Sequence, residues 1–210
     1  MLDIISRGGP VMWLIIMCSV IALGVVIERA YHLYRAQIDT KEFMDKISST
    51  IRRNRIMEAV DICDRMPGPI AHILKAGIMK HDRTRAEIKE AIEDAGLFEI
   101  PRLEKNMGIL ATIAQISPLL GLLGTVTGMV KAFQVIEQKA ALLYPVSAAD
   151  LAGGIWEALL TTVAGLIVAI PTFVVYNYFI SRVDAFVLDM ERSSTDLVNI
   201  LSQKRQDNEV

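Results

Sequence analysis

Three long apolar blocks constrain this chain of 210 residues more than any other feature. They run from Val11 to Ile27, from about Gly108 to Phe133 and from about Gly153 to Ile180. Crossing the hydrocarbon of a bilayer takes roughly 17–25 apolar residues, and a backbone in lipid must satisfy its own hydrogen bonds. The blocks therefore predict three transmembrane helices. They also explain how 52% hydrophobic and 22% charged residues coexist in one chain.

The first block is expected to be a retained span rather than a signal peptide. No A-x-A-like cleavage site follows it, and the segment before it carries Asp3 as well as Arg7.

The distribution of basic residues predicts the orientation of the spans. From the outer end of span two to the start of span three, the sequence has only two basic residues, Lys131 and Lys139. Basic residues are more numerous in the large loop after span one and in the C-terminal tail: Arg29, Arg35, Lys41, Lys46, Arg102 and Lys105 in the loop, and Arg182, Arg192, Lys204 and Arg205 in the tail. The positive-inside rule therefore places the large loop and the tail in the cytoplasm and the N-terminus outside.

The large loop is predicted to be helical. Pro67-Gly68-Pro69 divides it into two helical stretches, and Thr84-Arg85-Ala86-Glu87 forms a capping box. We expect the helix after this box to continue into span two with a bend near Pro101. Apolar residues at helical spacing predict packed faces in the loop and the tail: Ile47, Ile51, Ile56, Val60, Cys63, Ile88, Ala91, Ile92 and Ala95, and then Val183, Phe186, Val187, Met190, Leu197 and Ile200.

Spans two and three contain many small and polar residues. Gly124 and Gly128 form a G-x-x-x-G pair, which allows helices to approach closely. We assign helix packing to Gly121, Gly124, Gly128, Gly165, Pro118 and Pro171, with a bend at Pro171.

Two threonines are predicted to lie at one depth. Thr125 is eight residues below the outer end of span two, and Thr162 is seven residues below that of span three. At about 1.5 Å per residue, both lie roughly 11–12 Å below the outer surface. Two hydroxyl groups at one depth on adjacent helices could line a shared polar passage.

Glu157 is the only acidic residue within the three blocks. A carboxylate inside a membrane usually has a partner or belongs to an ion pathway. Lys131 lies at about the same level on span two, so a rim ion pair and a role in cation entry are both open.

Two motifs together resemble the ExbB/TolQ/MotA proton-channel family. One is Gly121-Leu122-Leu123-Gly124-Thr125-Val126-Thr127-Gly128 in span two, and the other is Gly154-Ile155-Trp156-Glu157-Ala158-Leu159-Leu160-Thr161-Thr162 in span three. Ala169-Ile170-Pro171, followed by Tyr176-Asn177, is also similar to the family. The three spans and the large cytoplasmic loop extend the resemblance over essentially the whole chain. Within the family, the short N-terminus and the Gly-Leu-Leu-Gly-Thr sequence at 121–125 are most like ExbB.

The resemblance implies an all-α membrane protein with three transmembrane helices and long cytoplasmic helical extensions. Five copies of this protein would assemble into a ring. The ring surrounds a dimer of an ExbD/TolR-like single-span partner, whose membrane aspartate carries the proton, and works on a TonB-like transducer. Thr125 and Thr162 match the family's pore threonines, and Glu157 matches its glutamate. The implied location is the bacterial inner membrane.

The apolar blocks and the distribution of basic residues predict seven segments. They are a periplasmic N-terminus (1–10), the first span (11–27), a cytoplasmic helical domain (28–107), the second span (108–133), a periplasmic loop (134–152), the third span (153–180) and a cytoplasmic helical tail (181–210).

Two positions depart from the family. Thr127 stands where many relatives have Trp, and Thr161 stands where many have Ala. These extra hydroxyls could widen the polar surface, so we include both with the pore-lining candidates. Proton coupling is preferred over the sodium coupling known in the flagellar branch.

Other functions fit the sequence less well. A self-contained secondary transporter usually has internal repeats, and an intramembrane enzyme would need a motif such as G-x-S-x-G or H-E-x-x-H. A structural membrane scaffold remains an alternative. A net charge of −2 argues against nucleic acid binding. Neither the separated Cys18 and Cys63 nor the spacing of His32, His72 and His81 predicts a disulfide, a metal site or a cofactor.

Overall fold

The computed structural model describes residues 8–209, and their side chains as far as residue 204. Residues 1–7 of the predicted periplasmic N-terminus and residue 210 of the tail lie outside this range. The described residues form seven α-helices and no β-strand: α1 (Gly9–Ala36), α2 (Thr40–Arg52), α3 (Ile56–Arg65), α4 (Pro69–Met79), α5 (Arg85–Glu104), α6 (Met107–Ala141) and α7 (Ala148–Glu209).

Three of the described helices, α1, α6 and α7, are long and apolar enough to cross a membrane. The prediction of an all-α chain with three spans is confirmed. In the most apolar window of each, only 33%, 33% and 28% of the residues are buried within the chain. Most of the apolar surface of the spans is therefore left for lipid or for another protein chain.

The chain divides into two compact units. Of the described residues, the first unit contains those up to Glu28 together with Asn106–Tyr178, and the second contains Arg29–Lys105 together with those from Phe179 onward.

In the first unit, α6 and α7 meet along a seam of small residues. Its buried members are Ser117, Gly121, Gly124, Gly128 and Ala132 on α6, and Ala158, Thr161, Gly165, Ala169 and Thr172 on α7. A Cβ atom added at Gly128 would lie 2.6 Å from the carbonyl oxygen of Gly154, and one added at Gly165 would lie 2.5 Å from that of Ser117. The two backbones are therefore too close for larger side chains, as small-xxx-small packing in membranes requires.

The second unit has a conventional hydrophobic core. The expected apolar faces contribute to it, with Ile47, Ile51, Ile88 and Ile92 at most 3% exposed. Further core residues come from α4 and α7: Ile70, Ala71, Ile73, Leu74, Ile78, Val183, Phe186, Met190 and Leu197. The capping box at the start of α5 is confirmed, since Thr84 Oγ1 and the Glu87 carboxylate each accept a hydrogen bond from the other residue's backbone N–H.

Helix breaks within the loop differ from the prediction. The loop contains four helices rather than two helical stretches, because Asn54 adopts a left-handed conformation (φ 62°) after α2 and a turn at 80–84 separates α4 from α5. The helix beginning at Arg85 ends at Glu104 and does not run on into span two. Asn106 is left-handed (φ 61°), and its side-chain amide donates a hydrogen bond to Glu28 Oε2 at 2.7 Å. Asparagine tolerates this conformation better than most residues, so it breaks the helix here, while Pro101 stays inside α5.

Both cysteines are buried, unpaired thiols. Burial, together with the neighbouring Asp64 carboxylate, raises the pKa of the Cys63 thiol to about 12. A thiol with so high a pKa carries little reactive thiolate at neutral pH, which suits a packing role.

Candidate functional site

Thr125 and Thr162 each hydrogen-bond to a carbonyl group of the same turn of α6. The Thr162 hydroxyl donates to the carbonyl oxygen of Gly121 at 3.3 Å across the seam, and that of Thr125 donates to the carbonyl oxygen of Leu122 at 2.6 Å. The structure therefore brings the two threonines, 37 residues apart in sequence, to consecutive carbonyl groups of a single helix. Both side chains are only partly buried within the chain.

These hydroxyls keep hydrogen-bonding capacity for a further group. A hydroxyl has one hydrogen to donate and two lone pairs that accept. Thr162 shares its donor between Gly121 and Ala158, at 3.3 and 3.2 Å, so neither bond is short. A protonated carboxyl group placed against this turn could therefore donate a hydrogen bond to the hydroxyl oxygen of either threonine. A carboxylate could accept one from a threonine hydroxyl that has rotated away from its backbone carbonyl group.

Thr161 and Thr127 are placed differently from this pair. Thr161 is 0% exposed and donates to the carbonyl oxygen of Ala158 at 2.9 Å, with its side chain directly against Gly124. The Thr127 hydroxyl donates to the carbonyl oxygens of Leu123 and Gly124 at 3.0 and 3.1 Å and is partly buried. Within one chain, Thr161 fills the seam and does not line an open surface.

Glu157 and Lys131 form an ion pair between α7 and α6. Lys131 Nζ lies 2.5 Å from Glu157 Oε1, and the Glu157 side chain is 12% exposed against 45% for Lys131. Gly9, the first residue of α1, lies directly against this pair with φ +67°, and a Cβ atom there would clash with the Glu157 carboxylate. Three spans thus converge on one carboxylate.

The remaining packing candidates lie within the two helices. Gly121, Gly124 and Gly128 are buried on α6, and Gly165 is buried on α7. Pro118 is partly buried inside α6, and Pro171 is exposed inside α7.

A second ion pair joins the ends of the loop between α6 and α7. Lys139 Nζ lies 2.5 Å from Asp150 Oδ1, and the backbone N–H of Ser147 donates to Asp150 Oδ2 at 2.8 Å. The hydrogen bond from Lys139, followed by that from Ser147, lowers the pKa of the Asp150 carboxyl. The pair therefore tethers the start of α7 to the end of α6.

Sequence reasoning missed Gly9, Ser117 and the Lys139–Asp150 pair. A Gly-Gly-Pro at the start of an apolar block was the visible signal for Gly9, whereas the contact with Glu157 depends on the packing of three spans. Among residues 8–204, no three His, Cys, Asp or Glu side chains come together as a metal-binding group.

The chain is a multi-pass membrane protein whose residues 65–192 match the model of the MotA/TolQ/ExbB proton channel family. This match covers both spans that carry the threonines and Glu157.

Individual relatives extend the similarity over most of the chain. It is 32% identical to ExbB-like 3, a biopolymer transport protein of Synechocystis sp., over 82% of this chain and 81% of that protein. It is 30% identical to the Tol-Pal system protein TolQ of Haemophilus influenzae, over 97% of this chain and 94% of that protein. It is 27% identical to an ExbB homolog of Methanothermobacter thermautotrophicus, over 87% of this chain but only 64% of that longer relative. With the family model covering more than half of its residues, the chain belongs to the MotA/TolQ/ExbB proton channel family.

Proposed function

We propose that this chain is the ring subunit of a proton-driven motor or channel in the bacterial inner membrane. Proteins of the family are channel and transport components rather than enzymes. Five copies would form a ring around a dimer of an ExbD/TolR-like partner, with the N-terminus in the periplasm and the tail in the cytoplasm. Proton flow would drive work on a TonB-like, periplasm-spanning transducer.

The convergence of Thr125 and Thr162 on one turn of α6 is the observation that carries this proposal. Buried hydroxyls in spans are commonly satisfied by their own helix, as Thr172 is by the carbonyl oxygen of Val168 at 2.7 Å. Thr162 also reaches across to the neighbouring span, and both Thr162 and Thr125 are only partly buried. Two partly accessible hydroxyl groups at this position suit a proton-carrying group, because they replace some of the water that such a group loses inside the membrane.

A partner must supply the proton-carrying carboxylate. Glu157 is the only acidic side chain in the three predicted spans, and it is engaged by Lys131. Its carboxylate lies 2.5 Å from the Lys131 ammonium group, so within this chain it is already committed to an ion pair. The membrane aspartate of a single-span partner fills the missing role.

The proposed mechanism follows this arrangement. Protons enter from the periplasm near Glu157 and reach the partner carboxylate beside spans two and three. Thr125 and Thr162 solvate and orient that carboxylate as it gains and loses the proton. Moving one charge through the membrane potential is worth about 2.3 kcal/mol per 100 mV, which the assembly converts into work.

Replacing both threonines with valine tests the proposal. Valine keeps the shape of threonine and removes the hydroxyl, so Thr125→Val/Thr162→Val should assemble normally. Proton flux through the complex with its partner, measured in liposomes under an imposed pH gradient, should fall at least about tenfold, since each lost hydrogen bond to a charged group is worth about 1.5–3 kcal/mol.

The matched control is Thr112→Val/Thr172→Val. It removes one hydroxyl from each of the same two helices, at positions where the hydroxyl bonds only to its own helix. Flux should persist in the control. Normal flux in Thr125→Val/Thr162→Val would refute the assignment of these threonines and favour a structural scaffold.

A further inference from the structure

A basic pocket lies in the second unit, between the last turns of α1, the Pro67-Gly68-Pro69 turn and the last turns of α5. Its volume is about 370 Å³. This size is near the lower end for small-ligand sites, which run from about 300 to 1,000 Å³. The proposed ion pathway uses no residue of this pocket.

Positive charge dominates the pocket walls. Three arginines, Arg29, Arg35 and Arg102, line it together with His32 and His72, and Glu99 is the one acidic lining residue. Glu99 Oε1 lies 2.7 Å from Arg102 Nη1 and 3.1 Å from His72 Nδ1. Among the residues that line the pocket, three guanidinium groups therefore stand against one carboxylate.

The guanidinium groups are held by the fold to different degrees. Arg29 is only 2% exposed, and its Nη1 donates to the carbonyl oxygen of Arg102 at 3.4 Å. Arg35 is exposed and makes no hydrogen bond or ion pair with any side chain that the structure describes. The pocket therefore contains one buried guanidinium group, that of Arg29, and one exposed guanidinium group, that of Arg35.

The Pro67-Gly68-Pro69 turn forms a rigid wall. Gly68 has φ +116°, and a Cβ atom there would lie 3.0 Å from the carbonyl oxygen of Ala36, so glycine is required where this turn passes α1. Pro69 then begins α4, and no side chain caps this helix. The first turn of α4 lines the pocket through Pro69 and His72, so its positive helix end adds to the field of the arginines.

We propose that this pocket binds the phosphate group of an anionic phospholipid in the cytoplasmic leaflet. Guanidinium groups match the geometry of phosphate oxygens and bind them with two parallel hydrogen bonds. Arg29 is the second residue after the predicted end of span one, about 3 Å further along the same helix. The pocket therefore begins where the headgroups of the inner leaflet lie, and basic residues at this level attract anionic lipid.

This inference rests on the three-span topology and not on the proton pathway. Bound lipid would fix the end of α1 to the turn that precedes α4.

Native mass spectrometry with defined lipids tests the proposal. The full chain, purified in detergent as it assembles, is titrated with phosphatidylglycerol or with phosphatidylcholine carrying the same acyl chains. We expect preferential retention of phosphatidylglycerol. Arg35→Gln/Arg102→Gln should lose roughly tenfold in affinity, because two charge-assisted contacts are removed. Arg52→Gln/Arg53→Gln is the matched control, since it removes the same charge from exposed positions of the same unit and should bind like the original chain.

The assembly mass and the helical circular dichroism of each variant establish that it is folded. If the double variant does not fold, Arg35→Gln alone serves in its place, because this exposed side chain has no partner among the described residues. Equal phosphatidylglycerol affinity in the folded variant and the original chain would overturn the proposal, and so would the absence of any preference over phosphatidylcholine. A third arm adds excess inorganic phosphate. Failure to displace the lipid supports the lipid source, whereas complete displacement would overturn it in favour of free phosphate.

Discussion

The surroundings of Glu157 are compatible with two roles, one structural and one in cation entry. Glu157 is 12% exposed, contacts a lysine at 2.5 Å and lies against the first residue of α1. A rim ion pair that only holds spans together and a carboxylate that admits cations would have the same geometry. They differ in what happens when the charge of both partners is removed.

Lys131→Met should therefore be compared with Lys131→Met/Glu157→Gln. The single substitution leaves a carboxylate without its partner in a poorly solvated place, which costs up to about 3–5 kcal/mol, whereas the double substitution removes both charges and should recover most of the thermal stability. If Glu157 admits protons, flux in the double variant stays low although stability returns.

Lys131→Arg is the control, because it keeps the cation. Recovery of both stability and flux in the double variant would leave Glu157 with a purely structural role.

The difference between Thr161 and Thr162 was beyond sequence reasoning. Adjacent positions on a helix point about 100° apart, so the two cannot be buried in the seam to the same degree. Depth below the membrane surface follows from counting residues, and it placed Thr125 and Thr162 at one level. Which threonine is covered by Gly124 depends on the rotation of α7 against α6, and hydropathy does not record that rotation.

At the level of the helices, the seam between α6 and α7 is held by close backbone approach rather than by large side chains. Two adjacent glycines of α7 show this. A Cβ atom on Gly154 would collide with the carbonyl oxygen of Gly128 and lie 2.8 Å from the Ala132 Cβ atom, whereas one on Gly153 would meet nothing within 4 Å.

Gly154→Ala should destabilise the protein, and Gly153→Ala should not. Overpacking a tight contact costs about 1–3 kcal/mol. Replacing an unhindered helical glycine with alanine is neutral or stabilises by up to about 1 kcal/mol. Thermal unfolding of both variants in the same detergent, followed by circular dichroism, makes the comparison. Equal melting temperatures would mean that α6 and α7 are not in close contact at this level.

Helices were predictable to the extent that periodicity and hydropathy determine them. The three spans and the apolar faces of the second unit follow from side-chain spacing alone, and Ile47, Ile51, Ile88 and Ile92 are buried as expected. The breaks were not predictable in the same way. Asn54 and Asn106 end helices through single left-handed backbone conformations, and asparagine occurs in ordinary helices too often to mark such breaks in advance.

On the scale of the whole molecule, the large exposed apolar area of the spans leaves room for other protein chains, and the proposed mechanism requires a carboxylate from one of them. Native mass spectrometry of this chain, co-expressed with a single-span, aspartate-bearing protein encoded beside it, should show five copies holding two of the partner. The ring geometry of the proposal requires this ratio. A monomer or dimer of this chain that does not bind the partner would instead support a self-contained transporter or a scaffold.

The contact between Gly128 and Gly154 also restricts how the sequence can evolve. In most helix interfaces a larger residue on one side can be accommodated by a smaller one opposite, so paired substitutions keep the fit while the sequence drifts. Here each glycine faces the backbone of the other, and neither has a side chain left to shorten. No second-site change within this contact can compensate for a first. We therefore expect glycine to be retained at both positions in proteins that keep this contact. A larger residue at either position would require the two helices to move apart.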